Sequence, residues 1–169
     1  MKNGNGNTTK KGGNKMKVIR YDKQYKQEFI DLNKHWIDKF FKIEPHDLEQ
    51  LENVAHYLEQ GGMIFFAIDD EQVLSTCMVI ELQPDIWEIC KFATNEKFQG
   101  KGAGKAVFAA ALDYAKDKKA KKVVIYSNKN LKSALHIYQM FGFQEVPVDI
   151  DEYERCDYQA ELIIDEADH

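Results

Sequence analysis

The residues best suited to chemistry are Gln99-Gly100-Lys101-Gly102-Ala103-Gly104, which follow an apolar strand-like run and open an amphipathic helical pattern. Alternating glycines let backbone approach a ligand closely, and a helix start offers N–H groups that have no intrahelical acceptor. Together they suit an anion, a phosphate above all. Spacing excludes two well-known phosphate loops. A Walker A loop needs four residues between its first glycine and Gly-Lys-Ser/Thr, whereas Gly100 and Gly104 enclose three, and Ala106 stands where the magnesium-binding hydroxyl belongs. The dinucleotide fingerprint needs a glycine at position 105, which is lysine.

The elements that must position this loop are legible on both sides of it. Ile86 to Thr94 alternates as a strand, with Trp87, Ile89, Lys91 and Ala93 expected on one face and Glu88, Cys90, Phe92 and Thr94 on the other. Each face then carries one charged group. After the glycines, Val107, Phe108, Ala111, Leu112 and Ala115 form one helical stripe. Lys122 to Ser127 reads as a buried strand, so strand, helix and strand make a parallel crossover unit. Leu131, Ala134, Leu135, Tyr138 and Phe141 mark a shorter helix that Gly142 stops.

Upstream, residues 1–15 are a Lys/Asn/Gly/Thr mixture with no large apolar side chain after Met1, expected to be a flexible leader derived from cloning or an alternative start. The folded domain is expected to span 16–164, with 165–169 frayed. Tyr25, Phe29, Leu32, Trp36, Ile37, Phe40 and Phe41 recur at helical spacing. A second helix is expected from Asp47, with Gln50 completing a capping box, to Gly61-Gly62, making a helical hairpin with the first. Met63 to Ile68 and Val73 to Leu82 read as a β-hairpin, and Phe143 to Val148 and Cys156 to Ile164 as the last strands.

Gln99, Gly102 and Gly104 fit Gln-x-x-Gly-x-Gly, and Ala134-Leu135-His136-Ile137-Tyr138-Gln139-Met140-Phe141-Gly142-Phe143 fits Ala-x-x-x-Tyr-x-x-x-Gly-Phe. On this pair of patterns, and the element order between them, the chain resembles the GNAT superfamily of acetyl-CoA-dependent N-acetyltransferases over Met16 to about Ile164. The resemblance implies an α+β fold: a mostly antiparallel twisted sheet of about seven strands with a parallel pair at its centre, flanked by about four helices. It also implies acetyl-CoA as co-substrate, held by the backbone of Gln99, Gly100, Lys101, Gly102, Ala103, Gly104 and Lys105. Phe92, Ala93 and Thr94 would pair with the pantetheine arm. The asparagine often found three residues before that alanine is replaced by Leu131, flanked by Asn128 and Asn130; Asn128 is carried as a cofactor residue.

For Tyr138 the resemblance implies the general acid that protonates the departing thiolate, although its helical stripe would equally suit a core tyrosine. Glu88 is the candidate base, since a lysine-like amine of pKa about 10.4 is almost wholly protonated at neutral pH. The alternative for Glu88 is a strand residue paired with Lys91 or another cation. Trp36, Phe40, Phe41 and Tyr153 are candidate acceptor-site residues, with core packing as the competing account. The acidic groups around Glu44 and Asp47, and Asp149 to Glu154, could steer a cation or simply be solvated surface.

A net charge of -5 and a pI near 5.6 argue against a general nucleic-acid binder. Three unpaired-looking cysteines point to the cytoplasm rather than to a disulfide framework, the five histidines have no metal-ligand spacing, and no apolar run would span a bilayer. The expected partner is a small-molecule primary amine attacked directly in a ternary complex. A protein or peptide acceptor and a non-catalytic acyl-CoA sensor are the alternatives. Homodimerisation, common in the superfamily, has no interface signature here.

Overall fold

Seven strands form one sheet in the order β1-β2-β3-β4-β5-β7-β6, and the site grows from a fault at its centre. The computed structural model describes residues 16–150 and 154–168. The leader and Tyr153 therefore lie outside the described residues. The strands are β1 (Lys17–Arg20), β2 (Met63–Asp69), β3 (Gln72–Gln83), β4 (Ile86–Thr94), β5 (Lys122–Ser127), β6 (Gln144–Val146) and β7 (Tyr158–Ile163). Five α-helices accompany them: α1 (Lys26–Phe40), α2 (Pro45–Glu52), α3 (Val54–Glu59), α4 (Ala103–Asp117) and α5 (Lys132–Met140). All pairings are antiparallel except β4 with β5, the mixed architecture expected.

The period-2 alternation of the strands supplies two cores. In β2, Ile64, Phe66 and Ile68 join Phe29, Leu51 and Val54 on one face, while Phe65 and Ala67 join α4 and α5 residues on the other. Val107, Phe108, Ala111 and Ala115 of α4 are completely buried. Phe108 is the hub, with the rings of Phe92, Tyr138, Phe141 and Phe143 centred 5.7, 5.5, 5.1 and 5.6 Å away. The β2–β3 turn is made by Asp70 and Glu71, both in the left-handed region (φ 51° and 66°), as a two-residue hairpin that follows the strand twist requires.

The segment after α1 departs from expectation. The second helix starts three residues early: Pro45 takes its first position, and the capping box is made by Glu44 and Asp47 rather than Asp47 and Gln50. It breaks at Asn53 into α2 and α3 before Gly61 (φ 95°) ends it. α1 packs mainly on β3 and β4, and α3 on β2, so the pair is not a helical hairpin. Sheet contact wins because α1's Phe29 and Ile37 must be buried, and β3 and β4 are the nearest apolar surface.

Candidate active site

Two irregularities of β4 create the site. It pairs with β5 only at Ile86–Lys122, Trp87–Val123 and Glu88–Val124, although β4 continues to Thr94 and β5 to Ser127. Beyond Glu88 the facing edges have no strand partner among the described residues, so a wedge-shaped gap opens. Within that free stretch β4 bulges. Thr76 faces Ala93 and Met78 faces Cys90, so Lys91 and Phe92 together oppose Cys77, and Lys91 takes φ 49°. One extra residue in a strand reverses the facing of everything after it.

The bulge overturns the expected faces of β4. Phe92 and Thr94 lie on the α4 side with Trp87 and Ile89, whereas Lys91 lies on the α1–α2 side with Glu88 and Cys90. Glu88 therefore does not share a face with Phe92 and Thr94. It reaches the gap from the opposite side of the sheet.

Two clefts occupy the gap and share Trp36, Phe92 and Leu131 in their walls. The outer one, about 340 Å³, is lined by Phe92, Ala93, Thr94 and Gln99 on one side and by Asn130 to Ala134 and Ile137 on the other, with Trp36, Lys39 and Phe40 across it. The inner one, about 100 Å³, brings together Glu88, Cys90, Lys91, Tyr138, Phe41, Asn128 and Arg155. Ten of the expected cofactor, catalytic and acceptor residues thus meet in two contiguous spaces.

Below the outer cleft, the glycines have separate tasks. Gly100 and Gly102 hold φ 81° and 84° with open space where a Cβ would stand, so they serve the turn. Gly104 serves packing: a Cβ there would meet Thr94 Oγ1 at 2.9 Å and Phe92 Cζ at 3.3 Å. The first turn of α4 is thereby laid against the free end of β4. Lys101 and Lys105 are exposed beside it.

Tyr138, only 5% exposed, stacks near Tyr158 (6.2 Å) and lines the inner cleft. Burial pushes its phenol well above the ordinary value of 10, opposed by a hydrogen bond with the Ser127 side chain. It stays protonated at any physiological pH. Cys90 is raised by the same cause and by the Glu88 charge, which makes it a poor nucleophile. Asn128 uses its amide inside the loop, donating to Arg155 O and accepting from the Asn130 N–H. Trp36 donates from Nε1 to Thr94 O at 2.6 Å and stacks on Phe40 at 5.7 Å.

A buried ion network behind the inner cleft escaped the sequence reading. Asp47, wholly buried, accepts from Arg155 Nη1 (2.8 Å) and Nη2 (2.6 Å), from the Glu44 N–H (2.9 Å) and from Lys91 Nζ (3.2 Å). Arg155 also reaches Glu44 Oε2 at 3.0 Å, and its guanidinium lies 5.6 Å over the Phe41 ring. Burial alone would raise the Asp47 carboxyl, but Arg155, Lys91 and the Glu44 N–H outweigh it and hold the group below its usual range. Glu44 and Asp47 thus form an internal clasp and not solvated surface, whereas Glu49 and Glu52 of the same cluster are exposed. Proline at the helix start could have placed Asp47 in the capping box, but no local sequence signal marks its burial.

With this geometry in hand, the comparison with known families is decisive: residues 29–143 match the model of the acetyltransferase (GNAT) family. The chain belongs to that family. Among curated relatives, an uncharacterized N-acetyltransferase, YobR, of Bacillus subtilis is 24% identical over 113 residues, covering 66% of this chain and 46% of its own. Mycothiol acetyltransferase of Rhodococcus jostii is 32% identical over 110 residues, covering 62% of this chain and 36% of its own. The chain therefore spans less than half the length of these two curated relatives. A GNAT acetyltransferase of Staphylococcus aureus Mu50 superposes with TM-score 0.78 at 21% identity, covering 86% of this chain and 97% of its own. A Bacillus subtilis acetyltransferase solved with CoA gives 0.66 at 21%, covering 89% and 99%. Both share the GNAT fold seen here.

Proposed function

We propose that this chain is an N-acetyltransferase that moves the acetyl group of acetyl-CoA to the primary amine of a small molecule by direct attack in a ternary complex. The observation that carries the reading is the meeting of the two clefts at Phe92, with Thr94 and Gln99 on one side and Glu88 and Tyr138 on the other. A long, narrow thioester co-substrate fits the outer cleft, whose β4 edge from Ile89 to Thr94 offers backbone groups to an amide-bearing arm. The N–H groups from Gly100 to Lys105 would hold its pyrophosphate, with Lys101 and Lys105 as added cations. The fit of the chain's own residues is good, since Gly104 closes the helix start against Thr94 and leaves no side chain in the way.

Acetyl-CoA supplies an electrophilic carbonyl; the residues do the rest. An N–H of the Phe92–Thr94 stretch polarises that carbonyl. Glu88 takes a proton from the ammonium and passes it to water. The amine nitrogen forms a bond to carbon and loses its second proton to water as the carbon–sulfur bond breaks. Tyr138 donates a hydrogen bond to the thiolate that leaves, and that thiolate takes its proton from solvent. Trp36, Phe40 and Phe41 wall the approach, and Tyr153 belongs to the same reading. The cytoplasm is its proposed compartment, in keeping with Cys77, Cys90 and Cys156, all free. No helix among the described residues is long and apolar enough to cross a membrane.

The test is thiol release from acetyl-CoA across a panel of primary amines, with mass detection of the acetylated product. Acetylation of at least one amine is expected. Tight CoA binding with no release for any acceptor, small or peptidic, overturns the reading in favour of a sensor.

A further inference from the structure

We propose that Lys91 is a positioning residue: clamped by Asp47, its side chain holds the β4 bulge in the one register that presents Phe92 to Thr94 to the outer cleft. The inference rests on the acetyl-transfer reading for its effect on rate, but its structural half stands on the bulge alone.

A lysine is a poor choice for φ 49°. The left-handed region costs an L-residue roughly 1–2 kcal/mol, which glycine escapes. The alternative backbone is close by: a slip that removes the bulge would return Lys91 to extended geometry and turn Phe92, Ala93 and Thr94 over. A side chain that pays its own strain must be anchored, and this one is. Its side chain is only 5% exposed, with Nζ 3.2 Å from Asp47 Oδ1.

The anchor is itself held from several sides. Asp47 is fixed by both Nη atoms of Arg155 and by the Glu44 N–H that closes the α2 capping box. On the opposite side of the sheet, Phe92 is seated between Phe108 and Tyr138, with centroids 5.7 and 6.3 Å away. The sequence neighbours Cys90 and Lys91 thus share one face, Phe92 lies on the other, and Lys91 and Phe92 together oppose Cys77, which is the geometry of a bulge. Lysine reach matters here, because the bulge lies on the sheet and Asp47 on the helix above it. Arg155 makes the clasp a three-way joint between α2, β4 and the segment leading into β7. The acceptor side of the inner cleft and the thioester side of the outer one are therefore held by the same carboxylate.

The experiment compares Lys91→Met with Lys91→Gly in the full chain. Methionine keeps the bulk and loses the tether; glycine loses the tether but takes φ 49° without strain. Expected for Lys91→Met are at least tenfold faster amide hydrogen exchange over residues 90–94, a kcat at least tenfold lower and weaker CoA binding, since Phe92 to Thr94 would no longer be presented to the outer cleft. Lys91→Gly should restore kcat to within about threefold of wild type. Wild-type exchange in Lys91→Met overturns the clamp. So does an equal loss of kcat in both variants, since the ammonium would then act on the reactants. If Lys91→Met does not fold while Lys91→Gly does, the clamp is supported; if neither folds, lysine is a general requirement of the fold and the proposal fails. If wild type acetylates no amine, the acetyl-transfer reading fails, and the exchange comparison still decides the clamp.

Discussion

The indole N–H of Trp36 donates to the carbonyl oxygen of Thr94 at 2.6 Å, tying the last turns of α1 to the free end of β4. Thr94 O lies where β5 would have supplied a ladder donor in an unbroken sheet, so a side chain takes over the backbone's duty. Trp36→Phe keeps an aromatic ring against Phe40 and removes this bond, along with part of the indole surface under Lys39. A loss of about 1 kcal/mol in stability is expected, read as a lower urea midpoint at constant m. An unchanged midpoint would show that water replaces the indole at no cost.

The glycines of the loop should separate into two classes. Gly104→Ala pushes a methyl toward Thr94 Oγ1 and Phe92, and overpacking of this kind costs about 1–3 kcal/mol. Gly102→Ala has room but inherits φ 84°, at roughly 1–2 kcal/mol. Both lower Tm, but Gly104→Ala should also weaken CoA binding more, because it moves α4 away from β4. Calorimetric titration of the two variants with CoA checks the order.

How much of this was legible follows from range. The β2–β3 hairpin could be read because Asp70 and Glu71 interrupt two apolar runs locally, and the α4 stripe because Val107 to Ala115 keeps one period. The Gln99–Gly104 loop and the Tyr138 helix were readable for the same reason. The bulge was not: strict alternation is the only rule a strand offers, and Lys91 has no glycine to betray a left-handed residue. The clasp was further out of reach, since Asp47 and Arg155 meet across 108 positions. Charged residues at such distance look like surface until the fold brings them together.

Asp47 gives a pH signature of its own. Its carboxyl is held below the usual range in the folded chain, against about 3.9 unfolded. The unfolded state therefore binds the proton first, and stability is full above about pH 4 and falls as pH drops through the lower folded value. Asp47→Asn should flatten that acid limb and, by stranding Lys91 and Arg155, cost about 3–5 kcal/mol at neutral pH. Urea melts between pH 2 and 7 measure both. A variant with the wild-type slope would remove Asp47 from the acid transition.

Glu88→Gln tests the base. A carboxylate that must be ionised gives kcat/KM an acidic limb whose position is a property of the enzyme, whereas a limb due to the amine moves with the acceptor. With two acceptors of different pKa, the fixed limb should vanish in Glu88→Gln and the moving one persist. The same fixed limb in the variant would leave water as the proton acceptor.

Tyr138→Phe tests the acid, and the raised phenol bounds the size of its effect. A thiol has a pKa near 8.5, and Tyr138 is pushed well above 10. Full proton transfer to the thiolate is therefore uphill by about 1.4 kcal/mol for each unit between them. What the O–H provides at low cost is a hydrogen bond to sulfur as charge builds, worth about 1.5–3 kcal/mol for a charged acceptor. Tyr138→Phe should thus lower kcat roughly 10- to 150-fold, short of the 10⁴ that an essential proton donor can command. CoA affinity should stay near wild type, because the phenol lines the inner cleft and not the outer one. The ring contacts with Phe108, Phe92 and Tyr158 survive in phenylalanine, so folding is not at issue. Steady-state kinetics at saturating acetyl-CoA and amine decide the matter, and an unchanged kcat would return Tyr138 to the core as an ordinary packing residue.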